Sequence, residues 1–155
     1  MEPFRMESAR TAIPALGLSL SIAPQWCRVS TEAIANLDLS LVSVDEAHLP
    51  LGQHLRAVGA TLESAEDGLA EWMRREMRKD VRQGWPEITA TTIGGRPALL
   101  AEWTDGVRNI VSGFVIGPIG AVRFDVFAPG AYFGDVAESR ELAATVFDSV
   151  VWDER

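Results

Sequence analysis

Four strand-length runs in succession, Glu87 to Pro129, constrain this chain more than any other stretch: EITATTIGGRPALLAEWTDGVRNIVSGFVIGPIGAVRFDVFAP. They are separated by Gly94-Gly95, Asp105-Gly106 and Gly117-Pro118-Ile119-Gly120. Breaks of this kind join antiparallel neighbours, because glycine reaches left-handed φ without steric cost. The segment therefore reads as a four-strand meander over 87–128, with helices before and after it packing on the sheet.

The flanking chain supplies those helices and further strands. Leu16 to Ile22 alternates apolar with small or polar residues, the mark of a half-buried strand, and Pro24 stops it. Cys27 to Ser30 reads as a short strand and Leu37 to Val44 as another. Residues 1–13 read as a loose lead-in, and 45–61 as a loop with a helical turn. Over Ser64 to Arg82, apolar residues at Ala65, Leu69, Trp72, Met73, Met77 and Val81 follow the three-four spacing of one helix face. Ser64 with Asp67 is the expected N-cap, Glu71 with Arg75 an i, i+4 pair, and Gly84 and Pro86 the stop. Leu142, Ala143, Val146, Phe147 and Val150 define a second helix over 137–150, and Trp152 is expected to anchor the tail. The predicted class is α+β: an α/β/α sandwich with a central antiparallel sheet, built from the meander plus the N-terminal strands, and two main helices. At 155 residues this is one domain spanning 1–155.

Period-two counting divides the meander into two faces. Leu99, Ala101, Trp103, Asn109, Val111, Gly113, Val115, Val122, Phe124 and Val126 form an almost wholly apolar set, expected as core under the helices. The opposite set is Leu100, Glu102, Arg108, Ile110, Ser112, Phe114, Arg123, Asp125 and Phe127, which mixes large apolar groups with charges of both signs. Such a face is either partly covered by a second layer of the same chain or is an apolar patch rimmed with charge, the mark of a partner site.

Chemical motifs are missing where catalysis would need them. No G-x-S-x-G, G-x-G-x-x-G or phosphate-cradling loop occurs, and Ser112 before Gly113 falls in mid-strand. Asp45-Glu46-Ala47-His48 spells a helicase string without the phosphate loop that gives it meaning. Two histidines, His48 and His54, and the lone Cys27 make no metal-site spacing. The chain is expected to be non-catalytic, without cofactor or metal. A net charge of −8 disfavours nucleic acid and anionic membrane surfaces. The exception is Arg74, Arg75, Arg78, Lys79 and Arg82, which read either as a docking patch for an acidic partner or as the solvated last turns of a helix. The N-terminal stretch has no signal-peptide core and no run approaches a membrane span, so a cytoplasmic location is expected.

The order of elements has a recognisable outline. An opening strand leads to Pro24-Gln25-Trp26; strands and a helix follow; then come Thr91-Thr92-Ile93-Gly94-Gly95-Arg96-Pro97-Ala98, two long strands and a closing helix. This resembles the PsbP-like α/β/α sandwich and, within it, the DcrB-like group of small bacterial proteins. The likeness covers 13–152 in order of elements and a handful of exact residues. It implies binding rather than catalysis. Members of that fold include a photosystem subunit, a nuclear-import factor that binds a small GTPase, exported lipoproteins, and the Eag chaperones that hold apolar N-terminal segments of type VI secretion effectors. Pro24-Gln25-Trp26 before Cys27 does not fit a lipobox, which leaves the chaperone or adaptor branch as the nearest analogue.

The expectation is thus a cytoplasmic protein that shields an apolar segment of a secreted partner, with a small-molecule carrier or accessory subunit as the alternative. The sheet face is the expected site. Leu100, Ile110, Phe114 and Phe127 would give apolar contact, Ser112 and Gly113 a close approach, and Glu102, Arg123 and Asp125 orientation. An open sheet face or edge also invites a homodimer.

Overall fold

A computed structural model of the protein describes residues 9–22, 26–29, 38–44, 50–81, 86–104, 109–127 and 137–153. In chain order the elements are β1 (Ala9–Ile13), β2 (Leu18–Ile22), β3 (Trp26–Val29), β4 (Asp38–Val44), β5 (Pro50–Ala60), α1 (Leu69–Asp80), β6 (Glu87–Ile93), β7 (Arg96–Thr104), β8 (Asn109–Ile116), β9 (Ala121–Phe127), α2 (Ala137–Ser149) and β10 (Val151–Trp152). Seven strands form one antiparallel sheet in the order β3-β4-β5-β9-β8-β7-β6. A second antiparallel sheet has the order β1-β2-β10.

The meander is present as β6 to β9, and the class is α+β with a central antiparallel sheet between helices. Helix α1 lies on one face, where Trp72, Met73 and Met77 pack with Ala101, Phe114 and Ala121. Helix α2 lies on the other. There Val146 and Phe147 join Val111, Val115, Val122, Phe124 and Val126, and Leu18, Leu20 and Trp152 complete the same core from the small sheet. Each large apolar side chain taken fully out of water contributes about 1.5–3 kcal/mol, so this second cluster holds most of the core's stabilisation. Phe147 is the centre of that contact. A Cβ on Gly113 would lie 2.6 Å from its ring, so the glycine is what lets α2 sit so close to β8.

Three expectations are corrected. Residues 50–60 form the eleven-residue β5, not a loop, and β5 joins β4 to β9 in the centre of the sheet. Its inward positions include Ala57 and Gly59, too small to announce a strand by hydrophobicity, although both are buried. Residues 9–13 belong to β1, which pairs along its whole length with β2, so the lead-in is shorter than 1–13. Helix α1 starts at Leu69 behind Gly68, five residues later than Ser64. A separate 3-10 turn occupies Leu62–Ala65, capped by the Thr61 side chain, which accepts from the Ser64 N–H. Accordingly Glu71 pairs with Arg74 at 2.5 Å, and Arg75 reaches Asp67 at 3.2 Å. The Asp105-Gly106 turn, Arg108, His48 and the Asp45–His48 string lie outside the described residues. The side chains of Cys27 and His54 also lie outside what is described.

The Gly94-Gly95 turn carries a testable asymmetry. Gly94 has φ +58°, and a Cβ there would lie 2.5 Å from Trp152 Nε1 and 2.8 Å from the Val150 carbonyl oxygen. Gly95 has φ +80° with nothing within 4 Å. Gly94→Ala combines left-handed strain with a clash against backbone and is expected to cost about 2–4 kcal/mol. Gly95→Ala carries the strain alone, about 1–2 kcal/mol. Urea unfolding of both variants checks the order; equal losses would mean that the Trp152 contact is not what constrains Gly94.

Candidate functional site: a buried polar network

Register decides which meander residues share a face. β7 pairs with β8 through Leu99↔Phe114, Ala101↔Ser112 and Trp103↔Ile110, and β8 with β9 through Ser112↔Asp125 and Phe114↔Arg123. The α1 face therefore holds Leu99, Ala101, Trp103, Ile110, Ser112, Phe114, Arg123, Asp125 and Phe127. Six of the eight expected site residues come together there. Leu100 and Glu102 do not; they lie on the α2 face, a correction of one residue in the phase of β7. Leu100 packs against the larger core, and the carboxylate of Glu102 accepts from Arg140 of α2 at 2.5 and 2.6 Å. Gly113 also lies on the α2 face, under Phe147.

Over Phe114 the mixed face is covered by the chain's own helix α1. Ile110, Ser112, Phe114, Arg123 and Phe127 are all buried, and Phe114 meets Trp72 of α1 edge-on with ring centroids 5.5 Å apart. At one end Trp103 bridges this cluster to Ile110 and Phe127.

Between the apolar groups runs a chain of polar contacts. Trp103 Nε1 donates to Ser112 Oγ at 2.8 Å, and Ser112 Oγ donates to Asp125 Oδ1 at 2.5 Å. Arg123 Nε donates to the same oxygen at 3.0 Å, and its Nη1 donates to Asp80 Oδ2 at the end of α1 at 2.6 Å. The guanidinium also stands 5.4 Å from the Phe114 ring centre and 5.9 Å from that of Trp103, within cation–π reach. Burial alone pulls the Arg123 guanidinium down; the charges of Asp125 and Asp80 and their hydrogen bonds outweigh it and hold it above its ordinary value. Arg56 of β5 stands opposite Asp125 in the register.

Chemically this is a closed set. Ser112 spends its one proton on Asp125 and accepts the indole N–H, so its oxygen is not poised as a nucleophile. Arg123 is committed to two carboxylates. Asp80 escaped the sequence reading, yet it carries a signal: an acid at a helix C-terminus opposes the macrodipole and calls for a cation nearby.

Three exposed cations of α1 are also matched locally. On α1, Arg74 is paired with Glu71, Arg75 with Asp67, and Lys79 with Glu76 at 2.5 Å, and all three cations are exposed. Exposed pairs of this kind contribute about 0–1 kcal/mol and describe a solvated helix face. Arg82 lies outside the described residues. Among the described residues no group of three His, Cys, Asp or Glu side chains is placed to hold a metal ion, and no helix is long and apolar enough to cross a membrane. A cavity of about 30 Å³ lined by Leu16, Gly59, Ala60, Ile119, Gly120, Ala121 and Val122 has room for about one water.

No family model matches the chain, and no curated protein matches it either. Among solved structures, the chain is similar to a protein from Bacteroides thetaiotaomicron VPI-5482, with a TM-score of 0.56 and 10% sequence identity. The match covers 97% of this chain and 50% of that one, so this chain spans half the length of its structural neighbour. At that identity the likeness is one of fold.

Proposed function

We propose that the chain is a non-catalytic, cytoplasmic binding protein, working as a chaperone or adaptor for an apolar segment of a secreted partner. The observation that supports this reading is the saturation of the Trp103–Ser112–Asp125–Arg123–Asp80 network. Its reactive groups are satisfied by one another under α1, an arrangement that positions a helix on a sheet rather than a substrate. That face is already filled by the amphipathic helix α1, with Trp72, Met73 and Met77 against Phe114, so a partner's segment docks outside it.

The test is capture of a partner from the source cells by the tagged chain, beside a Ser112→Ala variant. The expected result is a protein whose apolar segment is required for capture and whose capture survives Ser112→Ala. Hydrolytic turnover of the partner or of a model ester, abolished by Ser112→Ala in a folded protein, would replace this reading with an enzymatic one.

A further inference from the structure

The two ends of the large sheet are finished differently. β3, at one end, is four residues long, and short edge strands resist pairing with other chains. β6, at the other, has seven residues in unbroken register with β7, without a bulge. At about 3.3 Å per residue this is roughly 23 Å of strand. Between Glu87 and Ile93 it carries no proline and no lysine, the usual guards of such an edge, and Thr89, Ala90 and Thr92 are exposed. Among the described residues only its last is tied from outside the ladder, the Ile93 carbonyl accepting from Trp152 Nε1 at 3.0 Å.

Charge at the open end indicates what would pair there. Glu87 stands directly opposite Glu102, and like charges across a ladder are destabilising. Arg140 takes both oxygens of Glu102. Glu87 is exposed and has no ion-pair partner among the described residues.

We propose that the edge of β6 is a docking site for an extended segment of a partner protein, added as an eighth strand and carrying a lysine or arginine opposite Glu87. In antiparallel pairing that basic residue stands at the C-terminal end of the segment, and residues of high β-propensity lie beside Ile88 to Thr92. A second copy of the chain fits less well. Antiparallel self-pairing centred on Ala90 sets Glu87 against Ile93, supplies no cation, and brings together two chains of net charge −8. The inference deepens the binding reading above and rests on it.

The experiment is an NMR titration of the isotope-labelled chain with two seven-residue probes. Both alternate threonine and valine; one ends in lysine, the other in glutamate. The expected result is perturbation and slowed hydrogen exchange of alternate β6 amides, with the lysine probe binding about fivefold tighter, the scale of one cross-strand charge pair. Glu87→Gln, an exposed change that relieves the Glu102 contact and leaves the fold intact, is expected to abolish the preference. Shifts centred away from β6, equal affinity for both probes, no binding, or concentration-dependent doubling of mass through β6 would each overturn the proposal. A partner captured in the preceding test, with these probes inert, would leave the binding reading standing and remove the edge as its site.

Discussion

Replacing Arg123 with methionine is expected to lower the unfolding free energy by about 3–5 kcal/mol, the range for removing one partner of a buried ion pair. The loss comes less from the attraction forgone than from what remains. Asp125, with its side chain 13% exposed, would keep its charge with only the Ser112 hydroxyl on the shared oxygen, and Asp80 would oppose the α1 macrodipole alone. For a chain of this size the shift in Tm is roughly 6–20 °C. Adding Asp125→Asn should recover part of it, since the amide oxygen still accepts from Ser112 without leaving a bare charge. Thermal and urea unfolding of the single and double variants measure the coupling; a single-variant loss under about 1 kcal/mol would show the network to be solvated. Arg123 adds no pH dependence near neutrality. A cation held above its ordinary value contributes fully below its unfolded pKa and loses that contribution only as pH rises through the folded one, which for an arginine lies far into alkali.

Truncating Phe114 to alanine is expected to cost about 3–5 kcal/mol, the range for a fully buried phenylalanine. Its ring is wholly inaccessible, packs edge-on to Trp72, and lies beside the Arg123 guanidinium. The same cavity therefore weakens the hold of α1 and the surroundings of the polar network. Native-state hydrogen exchange should show α1 amides losing protection ahead of α2, whose contacts are on the other face. Urea unfolding gives the total; a loss below about 1.5 kcal/mol would mean that α1 collapses into the space. A charge at this position would report on folding rather than docking, because nothing outside the chain reaches the ring.

Much of the fold was legible in the sequence wherever local chemistry is unambiguous. Paired glycines at 94–95 and the Gly117–Gly120 turn delimit strands without help from tertiary contacts, and the spacing of Trp72, Met73 and Met77 marks a buried helix face. The same holds for Val146 and Phe147, and for Trp152 as the anchor of the tail. β5 was hidden because its inward residues include Ala57 and Gly59, whose burial depends on neighbours rather than on their own hydrophobicity. The start of α1 was misplaced because Ser64 satisfies a cap pattern that a 3-10 turn uses just as well.

The candidate site was divided in the same way. Ile110, Ser112, Phe114, Arg123, Asp125 and Phe127 fall on one face because alternation within β8 and β9 is clear, charged and small residues marking the phase. β7 offers no such mark: Leu99, Leu100 and Ala101 are apolar in succession, so either phase satisfies the pattern, and only pairing with β8 sends Glu102 to the α2 side. The sequence by itself determined that a mixed apolar and charged sheet face exists. Tertiary structure alone decided that α1 covers its Phe114 region and that Asp80, forty-three residues from Arg123, closes its charge balance. Periodicity is a property of neighbours along the chain, whereas burial and ion pairing are properties of neighbours in space.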